Sequence, residues 1–159
     1  MRGWSLLSYS AVLILMSGTL AAQSLSGPPK PDVPFLVHAA NLIETQQAQA
    51  TEEERGNELR YVIPGTESGV KTPLAGPEFL FRPEKLAASD LRLFRMEASN
   101  GRREILFRRK NKVLAEPLRL SVVDFEEGVV KIRVDESLSA GEYCLTPDGS
   151  NSVFCFTVY

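Results

Sequence analysis

One histidine, two cysteines and one tryptophan in 159 residues leave little material for common catalytic chemistry. The lone imidazole, His38, cannot build a histidine-rich metal site, and neither zinc-ligand spacing nor a glycine-rich phosphate loop accompanies it. Serine–histidine and cysteine–histidine catalysis would both need His38 beside a nucleophile and an orienting group, and no such motif surrounds it. It sits in the apolar run Phe35 to Ala40, where a histidine ordinarily packs and makes one hydrogen bond. No catalytic, cofactor-binding or metal-binding residue is therefore assigned, and no cofactor is expected. Paired carboxylates of the glycosidase kind, which can be remote in sequence, are the catalytic arrangement that composition leaves open.

Long hydrophobic runs are also missing. The longest, Ala11 to Met16, is far short of the roughly 20 residues that span a bilayer. With Arg2 before it and Ala21 and Ala22 after it, this run reads as the centre of a secretory signal peptide over residues 1–22, an uncleaved anchor being the alternative. The expected location is outside the cytoplasm, periplasmic or extracellular, with no stable membrane span once the signal is cleaved. Cleavage removes Trp4 and Arg2, so the remaining chain has no tryptophan and 17 basic against 20 acidic residues. The first loss counts against a carbohydrate module built on exposed aromatic platforms. The weak negative balance counts against nucleic acid or anionic membrane as a general partner.

What remains divides into a Pro-rich linker, residues 23–34, and one domain, residues 35–159. The domain is mainly β. Leu118, Leu120 and Val122 alternate with polar residues, as do Val130, Ile132 and Val134, and Asn100-Gly101 separates two apolar-rich runs as a hairpin turn does. That turn places Met96 opposite Ile105 and Phe94 opposite Phe107. It also opposes Glu97 with Glu104, an unfavourable pair that Arg95, on the diagonal, is expected to relieve. The predicted architecture is an antiparallel β-sandwich, Ig-like or jelly-roll-like, of about seven to nine strands with one or two short helices. Pro83 to Ser89 reads as one helical turn. Residues 41–55 fit either of two structures: a helix running from Asn41 to a Gly56 C-cap, or a strand paired with Leu59 to Ile63.

Both cysteines fall in the closing stretch, Gly141 to Tyr159. With Gly149 and Ser150 as loop residues, Cys144 faces Cys155, Tyr143 faces Phe156 and Leu145 faces Phe154. Tyr143, Leu145, Phe154, Phe156 and Val158 then share an apolar face and the cysteines lie on the opposite, outer face. In an oxidising compartment such a pair forms a disulfide that locks register.

Two regions could carry binding. The loop from Gly65 to Pro77 is long and contains Ser68, although not in the register of a nucleophile elbow. The run from Arg102 to Lys112 holds six basic residues, Arg102, Arg103, Arg108, Arg109, Lys110 and Lys112, a candidate patch for an acidic protein face or an anionic envelope polymer. A solvated strand edge looks the same in sequence. The Glu52 to Glu54 run reads as a solvated face.

The segments Asp32 to Ala39, Lys71 to Ala75, Gly141 to Pro147 and Val153 to Phe156 together resemble small exported bacterial β-domain proteins of no known activity. The resemblance implies export and β architecture, and no residue roles. The expected function is a non-enzymatic structural or interaction module of the bacterial envelope or exterior. The alternative is a small hydrolase or ligand-binding protein whose site is assembled from several strands and the 65–77 loop. The paired cysteines generate a direct test: the native protein should titrate with no free thiols, and Cys144→Ser should lower the melting temperature without abolishing the fold. Two free thiols would contradict the pairing.

Overall fold

The computed structural model describes residues 25–159; the expected signal peptide, residues 1–22, lies outside the described residues. β-Branched and aromatic residues at alternating positions produce strands throughout: β1 (Phe35–His38), β2 (Asn41–Glu44), β3 (Gln46–Gln49), β4 (Thr51–Arg55), β5 (Glu58–Pro64), β6 (Lys71–Thr72), β7 (Glu78–Phe81), β8 (Leu91–Ser99), β9 (Arg102–Arg109), β10 (Lys112–Val113), β11 (Leu120–Glu126), β12 (Val129–Val134), β13 (Gly141–Pro147) and β14 (Ser152–Val158). They form two sheets, one ordered β11-β12-β7-β1-β2, the other β3-β14-β13-β8-β9-β5-β4 with β10 on β9 and β6 on β14. All pairings are antiparallel except β6 with β14. The mainly β, antiparallel, two-sheet fold is as expected, cut into more and shorter strands.

The sheets pack through an apolar core to which Phe35, Leu36, Phe79, Phe81 and Ile132 contribute from one side and Leu93, Tyr143, Leu145, Phe154 and Phe156 from the other. Phe79 and Phe156 meet across the interface with ring centroids 5.1 Å apart, and Tyr143 stacks on Phe156 at 5.7 Å.

Residues 41–55 are extended, which settles the alternatives in favour of strands. Gly56 has a positive φ of 61° because it is the first residue of the two-residue turn joining β4 to β5, not a helix cap. Propensity loses here because this segment has three different partners. β2 is an edge of the smaller sheet, β3 pairs with β14, and β4 pairs with β5. Thr45, fully buried, donates its hydroxyl to Pro34 O at 2.7 Å where the chain leaves the smaller sheet. Ala50, between β3 and β4, donates its N–H to Asn151 O at 2.8 Å. Since β3 and β4 stand at opposite ends of the larger sheet and are consecutive in the chain, they bring its two ends together. The larger sheet thus curls into a partly open barrel whose walls are β3/β4, β14, β13, β8, β9 and β5.

The Asn100-Gly101 turn has positive φ at both residues, 52° and 77°, and sets Glu97 opposite Glu104 as expected. Arg95 does not relieve that pair. It bonds Ser139 Oγ at 2.8 Å, and Glu104 is held instead by Arg60 and Arg102, each at 2.6 Å. Nor does the ladder extend to Phe94 and Phe107. It ends at Glu97–Glu104, short of the expected Met96–Ile105 pair as well, because Leu93 O accepts Leu118 N–H at 2.8 Å and Phe107 O accepts N–H bonds from Leu114 and Ala115, so β8 and β9 splay apart.

The described part of the Pro-rich segment lies on the domain rather than forming a free tether. Pro28, Val33 and Pro34 are buried, and Lys30 pairs with Glu44 at 2.8 Å. Asp32 accepts the N–H groups of Glu84, Lys85 and Leu86 at 2.8–3.0 Å. This accounts for the missing helical turn at Pro83, because those N–H groups are drawn to one carboxylate; a three-residue 3₁₀ turn forms later, at Ala88–Asp90. Burial opposes ionisation of Asp32, but the bonds from Leu86, Glu84 and Lys85 outweigh it and hold its carboxyl below the ordinary value. A depressed carboxyl contributes stability above its unfolded pKa and loses it as pH falls through the folded value. Asp32→Asn should therefore be less stable than the native chain at neutral pH, with the difference shrinking in acid; urea titrations at several pH values read this directly.

Candidate functional site

Alternation puts every second residue of the barrel strands inside. From the hairpin β13/β14 these are Glu142, Cys144, Val153, Cys155 and Thr157, from β3/β4 Gln46, Ala48, Ala50 and Glu52, and from β5, β8 and β9 Tyr61, Ile63, Phe94, Met96, Arg103, Ile105 and Phe107. Cys144 and Cys155 face one another with Cα atoms 4.1 Å apart and are disulfide-bonded. The register Tyr143–Phe156 and Leu145–Phe154 is the one expected, while the loop spans Asp148 to Asn151, wider than two residues; Ser150 N–H bonds to Pro147 O. The cysteines are not on an outer surface. They are fully buried among Ala50, Ile63, Met96 and Val153, because the curled sheet folds its far half over them.

One end of the barrel is closed by polar groups. The Arg103 guanidinium, completely buried, donates to Gly65 O at 3.1 Å, Gln46 Oε1 at 3.0 Å and Glu142 Oε2 at 3.4 Å. Glu142 also accepts Ser68 N–H at 2.9 Å and the Thr157 hydroxyl at 2.7 Å. Ser68 Oγ donates to Cys155 O at 3.1 Å and accepts Val70 N–H at 3.1 Å. The loop from Gly65 to Pro77 is thus a plug: Ser68 is fully buried beneath it, and β6 runs parallel to β14 along the barrel wall.

This placement divides the six basic residues of the candidate patch. Arg103 is removed from any surface, since its side chain points into the barrel. Arg102 pairs with Glu53 and Glu104, Arg108 with Glu54 at 3.2 Å, and Arg109 with Glu58 at 2.8 Å. Lys110 and Lys112 are exposed at the β9–β10 turn and make no ion pair among the described residues. Glu53 and Glu54 of β4 are therefore the partners of Arg102 and Arg108 on β9. His38 is half-buried in β1, in the other sheet, with no hydrogen-bond partner at Nδ1 among the described residues. No group of three or more His, Cys, Asp or Glu side chains converges as a metal site there, and no helix is long and apolar enough to cross a membrane, both statements applying to the described residues.

The other end of the barrel is open. Where β8 and β9 splay, a pocket of about 260 Å³ enters the interior. Phe94, Met96, Ile105, Phe107, Cys144 and Val153 form its apolar wall. Tyr61 and Phe107 pack edge to face with centroids 5.5 Å apart and planes at 87°. Glu52, the cross-strand partner of Tyr61, stands at the rim with the loop from Asp148 to Asn151. Burial first, and the Glu52 carboxylate after it, push the Tyr61 phenol above its ordinary pKa. The signal for this pocket was present in the sequence as two facing phenylalanines, but it pointed to a packed pair rather than to an opening.

Removing one partner from a buried ion pair leaves the other uncompensated. Arg103→Met should cost about 3–5 kcal/mol in urea unfolding, and adding Glu142→Gln to it should recover part of the loss. Comparison with protein-family models, with curated proteins and with solved structures finds no match to this chain, so its functional reading rests on the barrel itself.

Proposed function

We propose that this protein is an exported, non-enzymatic binding module whose open barrel end receives a small, largely apolar ligand group. The observation that carries this reading is the pocket of about 260 Å³ assembled from six barrel strands, with aromatic and aliphatic walls and a polar rim. Its volume exceeds the roughly 150 Å³ of an engineered cavity that admits benzene and falls just below the roughly 300 Å³ at which sites for drug-sized ligands begin. A single ring or a short branched chain fits that range. The ordinary machinery of catalysis is thin at this position: Glu52 and Asp148 are the carboxylates of the lining, and Asp148 is bound to Arg92 at 2.7 Å.

The alternative of a hydrolase sited at the 65–77 loop has less support, since the Ser68 hydroxyl is committed to backbone partners at the plugged end. The basic run on β9 likewise offers less to an anionic polymer, because its arginines are either buried or paired.

The test is chemical-shift perturbation by indole of the full chain, followed at the methyl groups of Ala50, Met96 and Val153. Shifts should be confined to residues of the barrel mouth. Ile105→Trp, which fills the mouth, should weaken the interaction by about tenfold or more, or about 1.4 kcal/mol, while the melting temperature holds. Shifts spread evenly over the surface would reject the reading.

A further inference from the structure

The charges around the barrel mouth are unequal. Of the three glutamates of β4, Glu53 is held by Arg102 and Glu54 by Arg108, and Asp148 across the mouth is held by Arg92. Glu52 makes no ion pair among the described residues, its carboxylate having the Tyr61 phenol as its polar neighbour, and it is the one that lines the pocket. Beside it stand three aromatic rings. Tyr61 and Phe107 meet nearly at right angles and form a corner, and Phe94 lines the same opening from the far strand of the splay. Ring faces carry negative electrostatic potential, so aromatic walls with an uncompensated carboxylate attract a cation that also has apolar surface.

The alternatives fit less well. An anionic head would face both Glu52 and Asp148, with the nearest guanidinium groups already engaged. A wholly neutral ligand would cover a carboxylate without compensating it, which costs free energy. A hydrated metal ion has no converging ligand set among the described residues.

Resting on the binding function proposed above, we infer that the ligand class is an organic ammonium, a methylated or otherwise alkylated amine whose apolar substituents fill the aromatic corner and whose charge lies against Glu52. No covalent step is involved. The disulfide at the pocket floor contributes by keeping Cys144 and β13 fixed beneath the ligand.

The experiment compares three probes on the full chain by chemical-shift titration: choline, its uncharged isostere 3,3-dimethylbutan-1-ol, and indole. Choline should bind about tenfold or more tightly than the isostere, and Glu52→Gln should abolish that preference, weakening choline while binding of the isostere holds or tightens. Equal binding of choline and isostere, or no effect of Glu52→Gln on choline, overturns the ammonium assignment. If indole alone binds, the assignment fails and the apolar pocket stands. If none of the three shifts the barrel-mouth signals, both readings fall. Glu52 is exposed, so its conservative replacement leaves the fold intact, which the melting temperature verifies.

Discussion

The structure depends on a hairpin that is buried on both faces. Tyr143, Leu145, Phe154, Phe156 and Val158 project into the core between the two sheets, while Cys144, Val153 and Cys155 project into the barrel. A shift of one residue in either strand would exchange these two sets and disrupt both cores at once. The disulfide ties the strands at the middle of that register. Closing a loop this short stabilises by about 3 kcal/mol in the chain-entropy model, so its larger consequence is the alignment of everything packed on either side.

From this hairpin the two ends of the barrel acquire different chemistry. Toward the chain terminus of β14, the inward positions are Glu142 and Thr157, and they meet Arg103 and Ser68 in a closed polar network. A buried guanidinium is tolerable there because four acceptors surround it. Toward the turn, the inward positions are Cys144, Thr146 and Val153, and the facing strands supply aromatic rings instead of charge. A network at one end and an opening at the other make the barrel a one-ended container. The splay of β8 from β9 leaves that opening, since Phe107 O is already taken by the segment following β10.

Electrostatics on the outside follow from strand order. β4, β5 and β9 lie side by side, so the glutamates of β4 and β5 face the arginines of β5 and β9, and most of these charges are satisfied within the sheet. Exposed pairs of this kind contribute little stability individually. Their effect is to cancel a basic run that, taken alone, resembles a binding patch, and to leave Glu52 as a carboxylate without such a partner among the described residues.

Alternation along single strands and turn chemistry determined much of this by themselves. The Cys144–Cys155 pairing, the faces of the closing hairpin, the Asn100-Gly101 turn and the mainly β, antiparallel class all follow from period-two patterning and from residues that accept positive φ. Only the tertiary structure decided which strands become neighbours. Residues 41–55 carry a helix-compatible composition, yet they become three short strands because β14 and β5 offer them unpaired edges. Their bend at Ala50 curls the larger sheet, turning an outer face into an interior and moving Arg103 from surface to core. Local pattern states which side of a strand is apolar; what covers that side is set by contacts between residues far apart in the chain, as where Ser68 meets Glu142 and Glu52 meets Tyr61.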